Sequence, residues 1–278
     1  MIRSPLRYPG GKSRAIERIV ALVPPFKEYR EPFVGGASIF ISLRQRFPEK
    51  KFWINDKYTE LINFWRKSQT DSETVLKQVR FWKNDISEGR RLFYFLRENQ
   101  ENFSEIEKAA AFFVLNRITF SGTTEAGGFS VQAFEKRFTD SSIERLAQIS
   151  PLLKDVEITD LDYEEVVLRR GENVFLFLDP PYFSTTNSAL YGKNGNLHKT
   201  FDHERFAVTM KKCPHRWLLT YDDSSFVRQL FSFAKITNWN LMYGMRNQTS
   251  TSNQKGNELF ISNYAVNFNR QEKLAFAG

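Results

Sequence analysis

Cysteine is almost absent from this chain: 278 residues carry one, Cys213. No internal disulfide can form, which fits a reducing cytoplasm, and Cys213 reads as a small filler residue. Histidine is nearly as scarce, at three residues (His198, His203 and His215). With a single cysteine these form no zinc-binding spacing, and the acids show no calcium-loop pattern, so no metal is expected. Long apolar runs are missing too. None approaches the roughly 18 residues of a membrane span, and the opening MIRSPLRYPGGKSR has charges but no apolar leader segment. A soluble cytoplasmic protein without membrane contact is the expectation. Internal repeats and low-complexity linkers are also lacking. Acids are the minority charge, 32 against 40 Lys and Arg, and the net +8 favours a polyanionic partner. What the chain does have is 41% hydrophobic content, enough for the core of one large domain, or of a domain carrying an inserted smaller one.

Apolar or β-branched runs fall at Arg30 to Val34, Phe52 to Asn55, Val156 to Thr159, Val174 to Leu178, Trp217 to Tyr221, Ile236 to Tyr243 and Glu258 to Tyr264. Helical patterns separate them at 13–23, 37–47, 58–67, 163–170, 203–212 and 225–233. Alternation of this kind predicts a parallel sheet covered on both faces, with the last two strands, which no helix divides, forming a hairpin. Between Thr70 and Leu153 strand signals nearly vanish. Capping-box pairs at Thr70/Glu73, Ser104/Glu107 and Ser141/Glu144 mark three helix starts there, and KAAAFFVLN at 108–116 is strongly apolar. The stretch reads as a helical insertion.

The run VFLFL (174–178) ends abruptly in Asp179-Pro180-Pro181-Tyr182. Two prolines cannot continue a central ladder, so the strand must stop there. Its end then offers a carboxylate acceptor, a Pro180 carbonyl free of ladder duty and a Tyr182 ring able to cover a planar group. An exocyclic amine on a flat heterocycle, with two N–H donors and a π face, is the matching ligand. Taken alone, the tetrapeptide also suits an Asp-Pro turn closing an ordinary strand.

Gly10-Gly11-Lys12-Ser13 has the look of a P-loop tail, but that motif needs a glycine five residues before Gly11, where Leu6 stands, and a preceding strand. A glycine turn with a lysine at a helix start remains, suited to a carboxylate or a phosphate. In EPFVGGAS (31–38) an acid at a strand end leads into glycines and a helix start, the arrangement that admits nucleotide-like cofactors at the carboxyl edge of a doubly wound sheet. About twenty residues on, Ile54-Asn55-Asp56 places an acid where it can hold the two hydroxyls of a ribose. Ile39 and Phe40 follow Ser38, so the third, pyrophosphate-gripping glycine is missing; an adenosyl cofactor without a pyrophosphate is indicated.

Tyr8-Pro9-Gly10-Gly11-Lys12, Glu31-Pro32-Phe33-Val34-Gly35, Asn55-Asp56 and Asp179-Pro180-Pro181-Tyr182 follow one another in a single order, with LNRITFSG at 115–122. In that order and spacing the chain resembles the Dam-type (alpha-group, D12 class) S-adenosylmethionine-dependent DNA N6-adenine methyltransferases. The resemblance implies a Rossmann-like seven-stranded α/β methyltransferase sheet built from 1–57 and 156–278, with a helical target-recognition insertion at 58–155. It implies S-adenosylmethionine as donor, S-adenosylhomocysteine as product, and double-stranded DNA as substrate, bound by a monomer in a bacterial or phage-infected cell. A cognate restriction endonuclease is left open. For the cofactor it implies Tyr8, Gly11 and Lys12, with Lys12 on the methionine carboxylate; Phe33 and Gly35 along the cofactor; Asp56 on the ribose; and Asp162 with Tyr163 at the cofactor adenine, although Asp160 also fits that segment. Asp179, Pro180, Pro181 and Tyr182 are the catalytic set. Two departures stand out. Ala37 occupies a position where many relatives carry a further glycine, and Glu125 falls near the base-reading arginine of enzymes that recognise GATC, so a target other than plain GATC is expected.

The chemistry follows from the residues. An adenine N6 lone pair is delocalised into the ring; Asp179 and the Pro180 carbonyl, by accepting both N6 hydrogens, favour its more nucleophilic form while Tyr182 fixes the ring. Donor and acceptor residues are expected at separate strand ends, so that Lys12 and Asp56 hold the cofactor independently of Asp179. The target base must leave the duplex, and the insertion is the device to hold the gap. Sequence reading is expected at Arg117 to Gly128, with Arg117, Phe120 as a wedge, and Ser121, Thr123, Thr124 and Glu125 toward bases; Phe120 as a hydrophobic plug and Glu125 as a solvated charge are the plainer roles. Arg246 and Lys255 suit phosphate contacts or a solvated hairpin loop. Transfer to cytosine N4 or to an RNA adenine would use the same tetrapeptide, and a non-catalytic DNA-binding module is the remaining alternative.

Overall fold

The computed structural model describes residues 1–8, 10–124, 127–183, 201–241 and 256–266. Glu125, Arg246 and Lys255 lie outside them, as does the segment between the last two strands. Seven strands form one sheet: β1 (Glu28–Glu31), β2 (Lys51–Asn55), β3 (Glu157–Thr159), β4 (Val174–Leu178), β5 (Arg216–Asp222), β6 (Lys235–Leu241) and β7 (Gly256–Ser262), in the spatial order β3-β2-β1-β4-β5-β7-β6. The first five are parallel; β7 enters antiparallel between β5 and β6, pairing with both. The expected final hairpin is present, but its second strand lies inside the sheet and its first is the edge.

The reason for a two-sided core is visible in β4. All five of its residues are buried; Phe175 and Phe177 face one apolar cluster while Val174, Leu176 and Leu178 face the other. Alternate side chains of an extended strand point to opposite faces, so an unbroken apolar run is what a sheet covered on both sides requires. Helices α1 (Ile16–Ala21), α2 (Ser38–Arg46) and α3 (Thr59–Thr70) contribute to the first cluster. That cluster continues without a break into the helices that lie between β2 and β3.

Those helices are α4 (Ser72–Asp85), α5 (Gly89–Glu98), α6 (Glu105–Ile118), α7 (Val131–Arg137), α8 (Asp140–Ala147) and α9 (Ser150–Leu153). Helix α6 is the axis of the group: Ala109 to Ile118 are all buried, and α3, α4, α5 and α7 pack around it. A helix apolar all round belongs at the centre of a bundle. Its start carries the expected capping box, Ser104 and Glu107 each bonding the other's backbone. The other two boxes do not form. Helix α3 runs through Thr70, and Asp71 heads α4; α8 begins two residues earlier than expected, with Thr139 accepting from the Ser142 amide. A competent hydroxyl just upstream displaced Ser141 as the cap. The second face of the sheet is covered by α10 (Tyr163–Leu168), α11 (His203–Lys212) and α12 (Ser225–Leu230). Arg30 of β1, 1% exposed, donates to the Val166, Arg169 and Arg170 carbonyls and so closes the carboxyl end of α10.

Candidate functional site

Each of the five parallel strands is followed at its carboxyl end by an acid. Glu31 ends β1, Asp56 follows β2, Asp160 and Asp162 follow β3, Asp179 follows β4, and Asp222 ends β5. Loops at that edge of an open α/β sheet form the ligand crevice. The result is an acidic crevice in a protein whose net charge is +8.

The N-terminal segment lies across this edge. Tyr8 packs on the turn after β1, so closely that a Cβ added at Gly35 would lie 2.7 Å from its ring. Gly35 also has φ +44, where side chains are strained, so glycine is required there twice over. Ala37, two residues on, keeps a left-handed φ of 57 at the start of α2 despite its Cβ. This is the position where a glycine was expected of relatives, and Ala37 bears the modest strain that glycine avoids. From Tyr8 the chain turns at Gly11, whose amide bonds the Tyr8 carbonyl, and delivers Lys12 into the crevice at 4% exposure.

Lys12 and Asp179 meet there, contrary to the expected separation of donor and acceptor residues. The Lys12 ammonium lies 2.9 Å from Asp179 Oδ2 and 2.8 Å from Oδ1, and its third contact is the Gly10 carbonyl at 3.0 Å. Asp179 Oδ1 also accepts from Thr220 Oγ1 at 2.7 Å. Lys12 stands 4.9 Å above the Tyr182 ring, and that ring is stacked on Tyr221, centroids 5.8 Å apart. Residues from the N-terminal turn, β4 and β5 thus form one charged group.

The second half of the crevice is organised by Asp56 and Phe33. Asp56 accepts from the Gly35 and Tyr58 amides, one to each oxygen, at 3.0 and 3.1 Å. The Lys57 amide also favours its charged form; a carboxylate has about four acceptor directions, so capacity remains for a hydroxyl. Asn55 has none to spare: it donates to the Pro32 and Leu161 carbonyls and accepts from Thr159 and the Leu161 amide, tying the ends of three strands together. Phe33 and Tyr163 lie 5.6 Å apart, each also near Phe201, a flat apolar set able to cover a purine. Of the two acids after β3, Asp160 turns away to Arg66, whereas Asp162 caps α10 beside Tyr163 and pairs with Arg205. Among the residues no sequence pattern singled out are Thr220, Glu31 as a buried group, and Glu258 of β7, which is 2% exposed. The sequence signal for Glu258 was slight: an acid heading the apolar run LFIS.

Burial holds three of these carboxyls in the protonated direction. It raises Glu31 to about 8, against hydrogen bonds from Tyr29 and the Phe40 amide; Asp56 to about 6, against backbone donors; and Glu258 to about 7, against Lys12. Unfolded, these groups lose their protons near 4 to 4.5. Between that range and pH 8 the native state therefore binds more protons than the unfolded one, and stability falls as pH rises. Thermal denaturation from pH 5 to 8 should show this fall, and Glu31→Gln should make it shallower by removing the largest contributor. An unchanged slope in the variant would contradict the assignment.

The loop after α6 departs from expectation. Phe120 is 68% exposed, as a wedge would need. Thr123 and Thr124 are instead buried: Thr123 bonds the Phe120 carbonyl and Thr124 the Tyr58 hydroxyl, so neither hydroxyl reaches outward for bases. Arg117 is 5% exposed, donates to the Arg137 carbonyl and lies over Phe113, so it is also no surface contact; burial, with Arg145, Arg7 and Arg137 nearby, lowers it to about 9. Ser121 is half-buried with φ 56. Apolar packing under the loop wins over polar presentation because α6 is buried to its last residue.

Comparison with known proteins agrees with this architecture. The sequence matches the D12 class N6 adenine-specific DNA methyltransferase family over residues 8–245. It is 25% identical over 237 residues to a DNA N-6-adenine-methyltransferase of Escherichia phage P1, covering 82% of this chain but only 31% of the phage protein. It is 27% identical over 198 residues to the type II methyltransferase M.MjaIII of Methanocaldococcus jannaschii, covering 64% and 68% of the two chains. A DNA adenine methylase of Vibrio cholerae is 25% identical over 203 residues, with 69% and 71% covered. With a family match through most of the chain and a seven-stranded sheet carrying the Asp-Pro-Pro-Tyr turn at its carboxyl edge, this protein belongs to the D12 class of N6 adenine-specific DNA methyltransferases.

Proposed function

We propose that the chain transfers a methyl group from S-adenosylmethionine to N6 of an adenine flipped out of double-stranded DNA, working as a monomer in the cytoplasm of a bacterial or phage-infected cell. The observation that carries this reading is the acidic crevice: a +8 protein suits a polyanion outside, while the acids at five strand ends suit a cationic donor within. S-adenosylmethionine, when bound, supplies a methyl group on a sulfonium. Its adenosine would lie along Phe33 and Tyr163 with Asp162 at the base, its ribose at Asp56, and its methionine end toward Gly35, Tyr8, Gly11 and Lys12. The remaining acceptor capacity of Asp56 supports this fit. On the acceptor side Asp179 and the Pro180 carbonyl take the two N6 hydrogens, Pro181 fixes the turn, and Tyr182 holds the ring for in-line approach. No base is needed before transfer; N6 gives up its extra proton afterwards. Residues 58–155 act as the recognition unit, with Phe120 entering the space left by the base.

Long-read methylation sequencing of cells expressing the protein tests this. N6-methyladenine at one fixed motif is expected; N4-methylcytosine, or no mark, would overturn the assignment. With purified protein, Asp56→Ala should weaken donor binding by about 1 to 3 kcal/mol, the worth of a charge-assisted hydrogen-bond pair. Calorimetry that finds an unchanged dissociation constant would remove Asp56 from the site.

A further inference from the structure

Three consecutive residues at the end of β5 each hold one part of the Asp-Pro-Pro-Tyr turn. Thr220 donates to Asp179 at 2.7 Å, the Tyr221 ring stacks on Tyr182 with 21° between the planes, and Asp222 accepts from the Phe183 amide at 3.0 Å. The strand period puts Thr220 and Asp222 on one face and Tyr221 on the other. Tyr221 accordingly lies in the apolar cluster of the second face, and Tyr182 packs against that cluster. A fully buried core position of this kind would be served by a phenylalanine. Instead the Tyr221 hydroxyl is hydrogen-bonded to Nδ1 of His203, the first residue of α11. His203 is itself 8% exposed, makes edge-on contacts with Phe183 and Phe201 at 5.5 and 5.1 Å, and leaves its Nε2 without a hydrogen-bond partner.

A buried hydroxyl–imidazole pair left half satisfied costs stability relative to an apolar pair of the same shape. The core alone does not call for it. What the pair adds is orientation, because a phenyl ring held only by packing can slide, whereas a hydrogen bond at its tip fixes its place. Tyr182 needs such a support. It follows two prolines beyond the end of β4, and a ring that receives a flat base on one face keeps its plane only if the other face is backed. Lys12 also stands 4.9 Å over this ring, but an ammonium on a flexible four-carbon stem can turn away toward a donor carboxylate, and a pinned aryl ring cannot. We propose that Tyr221, pinned by His203, is a positioning residue of the methyl-transfer site: it backs the Tyr182 ring and sets the plane in which the target base stacks. The proposal rests on the reading that Tyr182 holds an adenine, and it gives Tyr221 and His203 a role through Tyr182 rather than contact with the base.

Variants of the full chain test it on a duplex carrying the motif that sequencing identifies. Tyr221→Phe keeps the ring and removes the link to His203; single-turnover methylation should be about tenfold slower, the scale of one lost buried hydrogen bond, with the donor dissociation constant unchanged by calorimetry. His203→Leu should lose as much, and the double variant should be no slower than either single one, since both break the same link. A wild-type rate for Tyr221→Phe, losses that multiply in the double variant, or an equal loss in donor binding would overturn the proposal. So would a Tyr221→Phe chain that does not fold, because the pair would then serve the fold and not the site. A photocrosslink removes the dependence on His203→Leu: a duplex with iodouracil at the target position should crosslink to Tyr182 in the wild type, and the yield should drop severalfold in Tyr221→Phe. Equal yields overturn the proposal. No crosslink at Tyr182 in the wild type would instead remove the reading beneath it.

Discussion

Asp179→Ala should lose methyl transfer by a factor of about 100 or more, the scale for deleting one preorganised group that stabilises charge in a transition state. It should also destabilise the fold, which separate donor and acceptor ends would not cause. Lys12, with a side chain only 3% exposed, would be left with no carboxylate hydrogen-bonded to it, and breaking such a buried pair from one side costs about 3 to 5 kcal/mol. Donor binding should suffer as well, since Lys12 is then free to reorient. Asp179→Asn separates the two effects: its amide oxygen can still accept from Lys12, so the fold should hold while transfer is lost. Single-turnover kinetics with denaturant unfolding of both variants decides the matter. Asp179→Ala as stable as the wild type would show that the ion pair carries no weight.

Gly122→Ala should be the most damaging change outside the crevice. Gly122 has φ +79, and a Cβ there would lie 2.5 Å from the Arg7 carbonyl. The same carbonyl accepts from Asn116, whose amide also bonds the Gly122 carbonyl and whose oxygen takes the Arg7 amide. Asn116 thus fastens both the N-terminal segment that leads to Lys12 and the loop that carries Phe120. Left-handed strain of about 1 to 2 kcal/mol and overpacking of about 1 to 3 kcal/mol together predict a loss of roughly 2 to 5 kcal/mol. A denaturation midpoint equal to the wild type would mean that the two segments tolerate separation.

β4 was readable because it is apolar on both faces, and β4 and α11 begin and end where their patterns do; β1 is the polar run Glu28–Glu31, starting two residues before the expected strand. Motifs at strand ends were readable for a related reason: prolines and glycines there fix the backbone, so Asp179, Gly35 and Asp56 are placed by local chemistry. Contacts between distant segments were not. Nothing in Tyr8 to Lys12 announces an ion pair with Asp179, and the acid heading LFIS does not by itself say how deeply Glu258 is buried, because that follows from β7 entering between β5 and β6 rather than at the edge. Polar residues of the loop after α6 were misread for want of the same information: Thr123 and Thr124 look solvent-facing until Tyr58 and the bundle are placed beneath them. Two capping boxes failed because neighbouring residues offered a cap or a continued helix at equal cost.

The strand order has a further consequence, for the order in which the molecule is made. The central ladder joins β1 to β4, with Glu28 beside Val174, and everything between them, including the whole helical bundle, is synthesised first. At typical rates of translation β1 and β2 wait on the order of ten seconds for their missing neighbour. The bundle needs no such delay, because its contacts are local and helices form in microseconds. The helical bundle is thus the part positioned to fold during synthesis, and it shares one continuous apolar cluster with Phe52 and Ile54 of β2. The nascent sheet strands are sheltered by the segment inserted between them.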